Sequence, residues 1–266
     1  MRSKSSFFII PYVLWLLLFV VMPMILLAVN AFTNGQGQVS LVNLRAFLTN
    51  GACLKMMVNS FWYAVLITGL TLLISYPLAL VIAHCRHQRV WLLLVILPTW
   101  INLLLKTYAF IGLLGQHGLI NQALQLIGLA PRQLLFTKTA FVIVAAYIEI
   151  PFMVLPIYNS LHALDQQIIA AARDLGASSW QTFWRVVWPL TLPGVRAGVQ
   201  AVFIPSLSLF MITRLIGGNK VITLGTAIEE YFLTTMNWHM GSMIGVILIV
   251  IMVLVLLATS GKEQNK

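Results

Sequence analysis

Long apolar runs separated by short polar breaks dominate this chain, and their lengths predict helices that cross a membrane rather than pack in a soluble core. A spanning helix needs about 20 apolar residues, and six such runs are marked, over residues of about 7–32, 59–83, 90–114, 139–161, 194–215 and 240–259. The first is too long for a signal-peptide core of about 7–15 residues, although Val29-Asn30-Ala31 would pass as a cleavage site. Residues 33–58 are polar and dotted with Gly and Asn, which predicts a loop with a short helical piece. A second loop, from Gln116 to Phe136, carries a short amphipathic piece around Ile120–Ile127. There is no fixed-period repeat, and no soluble segment long enough for its own core. The expected architecture is all-α, a polytopic membrane protein of six transmembrane helices in one domain over residues 1–266.

One polar stretch breaks this pattern, Asp165 to Gly194, within an expected loop of residues 162–193. It reads as two short helices with a hinge. Asp165 is placed as an N-cap, with Leu164 and Ile169 as a hydrophobic staple around it. Ile168, Ala171, Ala172 and Leu175 then recur at helical spacing, making one narrow apolar face. Gly176 stands where a left-handed C-terminal cap wants glycine, and Ser178 with Gln181 spells a capping box for the second helix. Pro189 and Pro193 are expected to punctuate its exit.

The run Ala171-Ala172-Arg173-Asp174-Leu175-Gly176, with Val186 and then Pro189 downstream, resembles the cytoplasmic "EAA" loop of type I ABC importer permeases. The family pattern is Glu-Ala-Ala, three residues, Gly, nine residues, then Ile-x-Leu-Pro. Here Ala170 replaces the Glu, and Val186 and Trp188 stand for the Ile and Leu. The resemblance implies a type I ABC importer permease fold, with a coupling helix that docks in a groove on an ATP-binding subunit. Ala170, Ala171, Ala172, Arg173, Asp174, Gly176 and Pro189 are the implied coupling residues. The implied partners are two ATP-binding subunits, a second homologous permease and an extracytoplasmic solute-binding protein.

Composition strengthens the membrane reading: 60% of residues are hydrophobic and 8% charged, against roughly 25% charged in soluble domains. The net charge of +10 comes from basic residues scattered singly between apolar spans, with no patch of interleaved aromatics. That reads as topology signal and contact with anionic lipid, not as nucleic-acid binding. Arg2, Lys4, Arg86, Arg89, Arg173, Arg185, Arg196, Lys262 and Lys266 fall on one side of the expected topology. Arg45, Lys55, Arg132, Lys138, Arg214 and Lys220 fall on the other, and nine against six places both termini and the polar stretch in the cytoplasm. With the family resemblance, the expected location is a bacterial cytoplasmic (inner) membrane. Cys53 and Cys85 fall on opposite sides, so they cannot pair.

Ionisable groups at membrane depth are functional candidates by default. Glu149 lies near the middle of the fourth span, and Lys106, with Thr99 and Asn102, forms a polar stripe at three- and four-residue spacing on the third. They either face a translocation path, with Glu149 attracting a cation, or Lys106 snorkels outward and Glu149 bonds internally or pairs with it. Pro11, Pro23, Pro98, Pro151, Pro156 and Pro205 interrupt spans, as in transporter pores and in packing kinks. Gly241-x-x-x-Gly245 permits close helix approach.

Leu97-Pro98-Thr99-Trp100 with Asn102, Lys106 and Tyr108, then Pro151-Phe152-Met153 with Pro156 and Tyr158, the Arg173–Ser178 run, and Pro205 with Phe210 and Gly217-Gly218 look like the spermidine/putrescine branch of the family. On that resemblance Trp100, Asn102, Lys106, Tyr108 and Glu149 are the substrate-path candidates. Arg214 departs from it, since an acidic residue is expected near there, and this leaves the cargo open. An ion-driven carrier or channel with Glu149 as its coupling carboxylate is the alternative. His84, His87, His117, His162 and His239 are scattered, so no metal centre and no catalytic site are expected. Gly217-Gly218-Asn219-Lys220 is not a P-loop. No cofactor is expected, and ATP hydrolysis is assigned to another chain.

Overall fold

The first helical rod is 29 residues of backbone with a single widened turn in it. In the computed structural model of the chain, which describes residues 3–260, α1 (Ser3–Leu16) runs through a π turn at Leu17–Val21 into α2 (Met22–Ala31). A proline ring inside an α-helix meets the carbonyl four residues back. For Pro23 that residue is Phe19, inside the π turn, where the wider coil leaves room. Arg2, Lys262 and Lys266, counted in the charge balance, lie outside the described residues, as does the Lys4 side chain.

The short helical piece in the first loop is α3 (Val42–Thr49). The second span starts earlier than expected: α4 (Gly51–His84) runs for 34 residues because the Asn50 side chain caps the Ala52 N–H and starts the helix within the expected loop. At 1.5 Å per residue α4 is about 50 Å long, so Cys53 in its first turn and Cys85 just past its end are far apart, and both are free thiols.

The expected third span, 90–114, is not one helix. It is α5 (Gln88–Ile96), a 3-10 turn at Leu97–Trp100, an extended break at Ile101 and Asn102, and α6 (Leu103–Leu114). Pro98 withholds an N–H at the break, and the Asn102 side chain accepts from the Leu104 N–H at 2.8 Å to start α6. A turn at Gly115–Gly118 leads to α7 (Leu119–Leu126), and the buried Asn121 side chain ties this loop to Gly115 and Arg132.

Next come α8 (Lys138–His162), α9 (Gln166–Asp174) and α10 (Ser179–Thr182). The second helix of the polar stretch does not exit at Pro189 and Pro193. Instead α10 passes through a π turn, Phe183–Val187, straight into α11 (Trp188–Ser206). The physical reason is the one met at Pro23: Arg185, four residues before Pro189, lies in the widened turn. The polar stretch therefore ends near Ser178, not at residue 193, and the fifth span starts earlier than residue 194. That span also stops sooner, at Ser206; after a break α12 (Phe210–Gly217) and α13 (Leu224–Glu229) form a helical hairpin. A last π turn, Glu230–Thr234, precedes α14 (Trp238–Ser260).

Among the described residues six stretches are long and apolar enough to span a membrane: Ile10–Ala31, Gly51–His84, Leu103–Leu126, Lys138–His162, Ser179–Ser206 and Trp238–Thr259. The core is built where α4, α8 and α11 pack together, with Ile67, Phe141, Met153, Ile157 and Val202 buried. Gly194 and Gly198 let α11 close on α8: a Cβ at Gly194 would sit 2.5 Å from the Pro156 carbonyl oxygen. A second cluster joins α2, α3, α13 and α14. In it Gly245 faces Leu27 of α2, the close approach that the glycine spacing permits.

Polar side chains give the bundle its polarity. Ser60 near the start of α4 accepts from the Leu224 N–H at 2.6 Å, and His239 at the start of α14 meets the Asn30 carbonyl at the end of α2 at 3.0 Å. Ser3 and Ser260 therefore lie toward the other end, where α4 and α8 finish and α9 sits.

Candidate functional site

At that end α9 is capped as its residues dictate. The Asp165 carboxylate accepts from the Gln167 N–H at 2.9 Å. The helix closes with Gly176 at φ +81°, donating to the Arg173 carbonyl at 2.8 Å while Ala177 donates to that of Ala172 at 3.1 Å, the paired bonds of a glycine C-cap. The Ser178–Gln181 capping box then starts α10. These caps hold a nine-residue helix off the bundle as a discrete knob.

The two faces of α9 differ. Gln166, Ile169 and Arg173 line a cavity beneath the helix. Ile168, Ala171 and Leu175 are exposed, Leu175 at 89% of its surface. Ala172 is half-buried on one flank, and Ala170 and Asp174 are exposed at the edges. An exposed leucine and isoleucine on one stripe is an apolar ridge without a partner among the described residues. Of the seven expected coupling residues, Arg173 is exposed and lines the cavity beneath the helix, and Pro189 lies within α11, beyond the π turn.

At mid-bundle the break in the third span opens a cavity of about 240 Å³. Thr99 and Lys106 line it, with Pro98, Tyr147 and Pro151. The expected polar stripe does not form, because Thr99 and Lys106 sit on different helical segments and the Asn102 side chain is spent as a cap. Thr99 also donates to the Ile96 carbonyl at 2.6 Å. Glu149 is 5% exposed and lies behind the cavity wall formed by its neighbours Ile148 and Ile150. It makes no hydrogen bond or ion pair among the described residues; Lys106 is the charge that acts on it through space. Trp100 and Tyr108, 79% and 58% exposed, project away from the cavity. So the structure gathers Lys106, Thr99 and Glu149, and leaves Trp100, Asn102 and Tyr108 outside.

Arg214 has a partner that sequence reasoning missed. Its guanidinium lies 2.9 Å from the Glu229 carboxylate, across the α12–α13 hairpin. Glu229 was legible only as one of six acidic residues in the whole chain. Its second oxygen is buried with no hydrogen-bond partner. The cation is therefore compensated where it stands.

Known proteins match the whole of this architecture. Residues 5–261 match the family described as binding-protein-dependent transport system inner membrane component. The chain is 36% identical over 255 residues, 91% of its length and 88% of the relative's, to the spermidine/putrescine transport system permease protein PotB of Haemophilus influenzae. It is 35% identical to that of Escherichia coli K12, covering 94% of both chains. A chain in the crystal structure of a bacterial alginate ABC transporter in complex with an alginate pentasaccharide-bound periplasmic protein shares the fold at 18% identity, with a TM-score of 0.80 over 98% of this chain and 94% of that one. With the fold and a match over nearly its full length, the chain belongs to the family of inner membrane components of binding-protein-dependent transport systems, as an ABC importer permease subunit.

Proposed function

We propose that this chain is one of two homologous membrane-spanning halves of a polyamine importer in a bacterial inner membrane. The observation that carries the cargo is the identity of about a third, over nearly the whole chain, to permeases named for spermidine and putrescine. Compensation of Arg214 by Glu229 removes the main objection, because the pair presents no net positive charge to a polycation. Glu149 supplies a carboxylate at membrane depth beside the broken third span; Trp100 and Tyr108, outside its cavity, carry exposed aromatic faces of the kind on which cations rest favourably, and their place on the path rests on the resemblance alone.

Two ATP-binding subunits hydrolyse ATP, and each permease seats α9 in a groove of one of them. Leu175, Ile168 and Ala171 form the ridge that enters; Ala170, Ala172 and Asp174 flank it, and Gly176 sets its angle. Arg173 and Pro189 act from behind, bracing the helix. Closure of the ATP-binding subunits moves α9 as a rigid body, and the continuous rod from α10 through α11 carries that motion into the bundle. The spans then open outward to receive cargo from the extracytoplasmic binding protein. Both termini and α9 face the cytoplasm, consistent with the distribution of basic residues. The apolar groove between α4 and α14, lined by Phe61, Leu207 and Leu254, suits the second permease.

The test is co-purification of the tagged chain from mild detergent, followed by reconstitution with the proteins that accompany it. An ATP-binding subunit and a second permease in the eluate, with ATP-dependent spermidine or putrescine uptake in vesicles, is the expected result. A complex that hydrolyses ATP but moves another solute overturns the cargo alone. A lone, inert protein that transports without ATP overturns the whole reading.

A further inference from the structure

The space beneath α9 is a cavity of about 380 Å³ where α4 and α8 end and α9 and α10 cross them. Leu80, Leu161, Ile169 and Val187 give it apolar walls. His84, His162 and Arg173 enter it from three different helices, and no carboxylate lines it. The nearest acidic side chains in sequence are Asp165, whose carboxylate caps α9, and Asp174, and neither is part of the wall.

These side chains keep hydrogen-bonding capacity that no partner among the described residues uses. Arg173 makes no hydrogen bond or ion pair among the described residues. His84 Nδ1 bonds the Leu80 carbonyl at 2.8 Å; a carbonyl only accepts, so Nδ1 carries the hydrogen, and Nε2 accepts in the neutral ring and donates to an anion only in the imidazolium form. The His162 ring stacks on Tyr158 at 5.6 Å and 13°, which fixes its orientation without using its nitrogens. The floor is rigid: Tyr158 donates its hydroxyl hydrogen to Gln88 Oε1, and Gln88 Nε2 donates to the Ala83 carbonyl, each at 2.8 Å. Ser179 adds a hydroxyl at the rim. Basic side chains converging on a concave site with low-dielectric walls focus a field that attracts an anion.

The depth of the cavity identifies the anion. Phe183 forms part of its wall and begins a chain of rings, Phe183 to Trp184 at 5.2 Å and Trp184 to Trp188 at 5.7 Å, with Trp180 exposed beside them. Tryptophans gather where the headgroups of a bilayer meet its hydrocarbon. A basic pocket between helix ends at that level, with apolar walls below, matches how membrane proteins take phospholipid headgroups.

We propose that this cavity binds the phosphate of an anionic phospholipid headgroup, which ties α9 through Arg173 to the ends of α4 and α8. The lipid thereby stiffens the link between the ATP-binding subunits and the bundle. This rests on the family assignment and not on the polyamine reading. Soluble phosphate shares the same chemistry, so the experiment separates the two sources.

The purified transporter complex is placed in nanodiscs of phosphatidylcholine with or without phosphatidylglycerol, and the lipid retained after transfer to detergent is counted by native mass spectrometry. Arg173→Gln is expected to lower phosphatidylglycerol retention about ten-fold, the loss of one charge-assisted contact. Arg173→Lys is expected to restore part of it, and phosphatidylglycerol to raise ATPase activity in wild type more than in Arg173→Gln. Equal retention by wild type and Arg173→Gln overturns the site. Displacement of the lipid by inorganic phosphate, with no ATPase response to phosphatidylglycerol, overturns the headgroup assignment in favour of a soluble anion.

Discussion

The Arg214 guanidinium and the Glu229 carboxylate meet at 2.9 Å across the α12–α13 hairpin, the arginine 53% exposed and the glutamate 18%. That asymmetry decides which half of the pair matters more. The cation can be hydrated alone, whereas the carboxylate already has one buried oxygen without a partner. Glu229→Gln leaves an uncompensated cation on the α12–α13 hairpin, and, if the hairpin flanks the path, uptake of a polycation is expected to fall several-fold. The double variant Arg214→Gln/Glu229→Gln removes that cation and is expected to recover most of the rate in a vesicle uptake assay. A double variant as slow as the single would show that the pair acts by shape and not by charge.

Glu149 sits in a low-dielectric setting with Lys106 as its electrostatic partner. Glu149→Gln removes the attraction for a cation at mid-membrane and is expected to weaken spermidine uptake by about ten-fold, ~1.4 kcal/mol. Lys106→Met, which removes the competing positive charge in the cavity wall, is expected to leave uptake equal or faster. Unchanged uptake in Glu149→Gln would take this carboxylate out of the path.

Gly176 presents a separable backbone requirement. Its φ of +81° disfavours side chains, yet an added Cβ would meet nothing within 4 Å. The cost of Gly176→Val is therefore conformational, about 1–2 kcal/mol, and Gly176→Asn, which tolerates this region, costs less. Insertion into the membrane is expected to be normal in both, with ATP-coupled uptake lost in the valine variant and largely kept in the asparagine one. Equal loss in both would point to a contact at this position.

Gly194 is the opposite case, limited by space. A Cβ there would lie 2.3 Å from Ser160 Oγ and 2.5 Å from the Pro156 carbonyl oxygen, and the latter is backbone that cannot turn aside. Gly194→Val forces α11 off α8, and overpacking of this kind costs about 1–3 kcal/mol. The expected readout is a lower melting temperature in detergent and reduced yield, before any transport is measured.

The two thiols report sidedness. Cys85 is half-buried just beyond the end of α4, whereas Cys53 is 2% exposed in its first turn. A membrane-impermeant maleimide is expected to label Cys85 in inside-out vesicles and not in intact cells, with Cys53 protected in both until the protein is denatured. Labelling of Cys85 from outside the cell would invert the topology.

The linear pattern was enough for the membrane class, the presence of six apolar spans and the knob at α9, because each depends on local chemistry. A run of apolar residues, a carboxylate before a helix and a glycine after one act within a few residues of themselves. Asp165, Gly176, Ser178 and Gln181 accordingly do what their types and spacing predict. Helix breaks were less legible. Pro98 opens the third span, where the Asn102 cap starts a new helix, and Pro189 continues a rod behind a π turn, while Pro151 and Pro156 stay within an unbroken α8 with neither device beside them. That the Asn102 side chain serves as a cap also removed it from the stripe that regular helical spacing draws.

The helical, membrane-spanning character of the chain and the capped helix α9 were written in the linear order of residues, because these follow from solvation and from bonds between near neighbours. Which charges meet came instead from packing between distant segments. Arg214 and Glu229 are 15 residues apart, and His84, His162 and Arg173 come from three helices. Their proximity follows from how α4, α8, α11 and the α12–α13 hairpin pack, a collective balance of shape and close approach at positions such as Gly194 that no local pattern encodes.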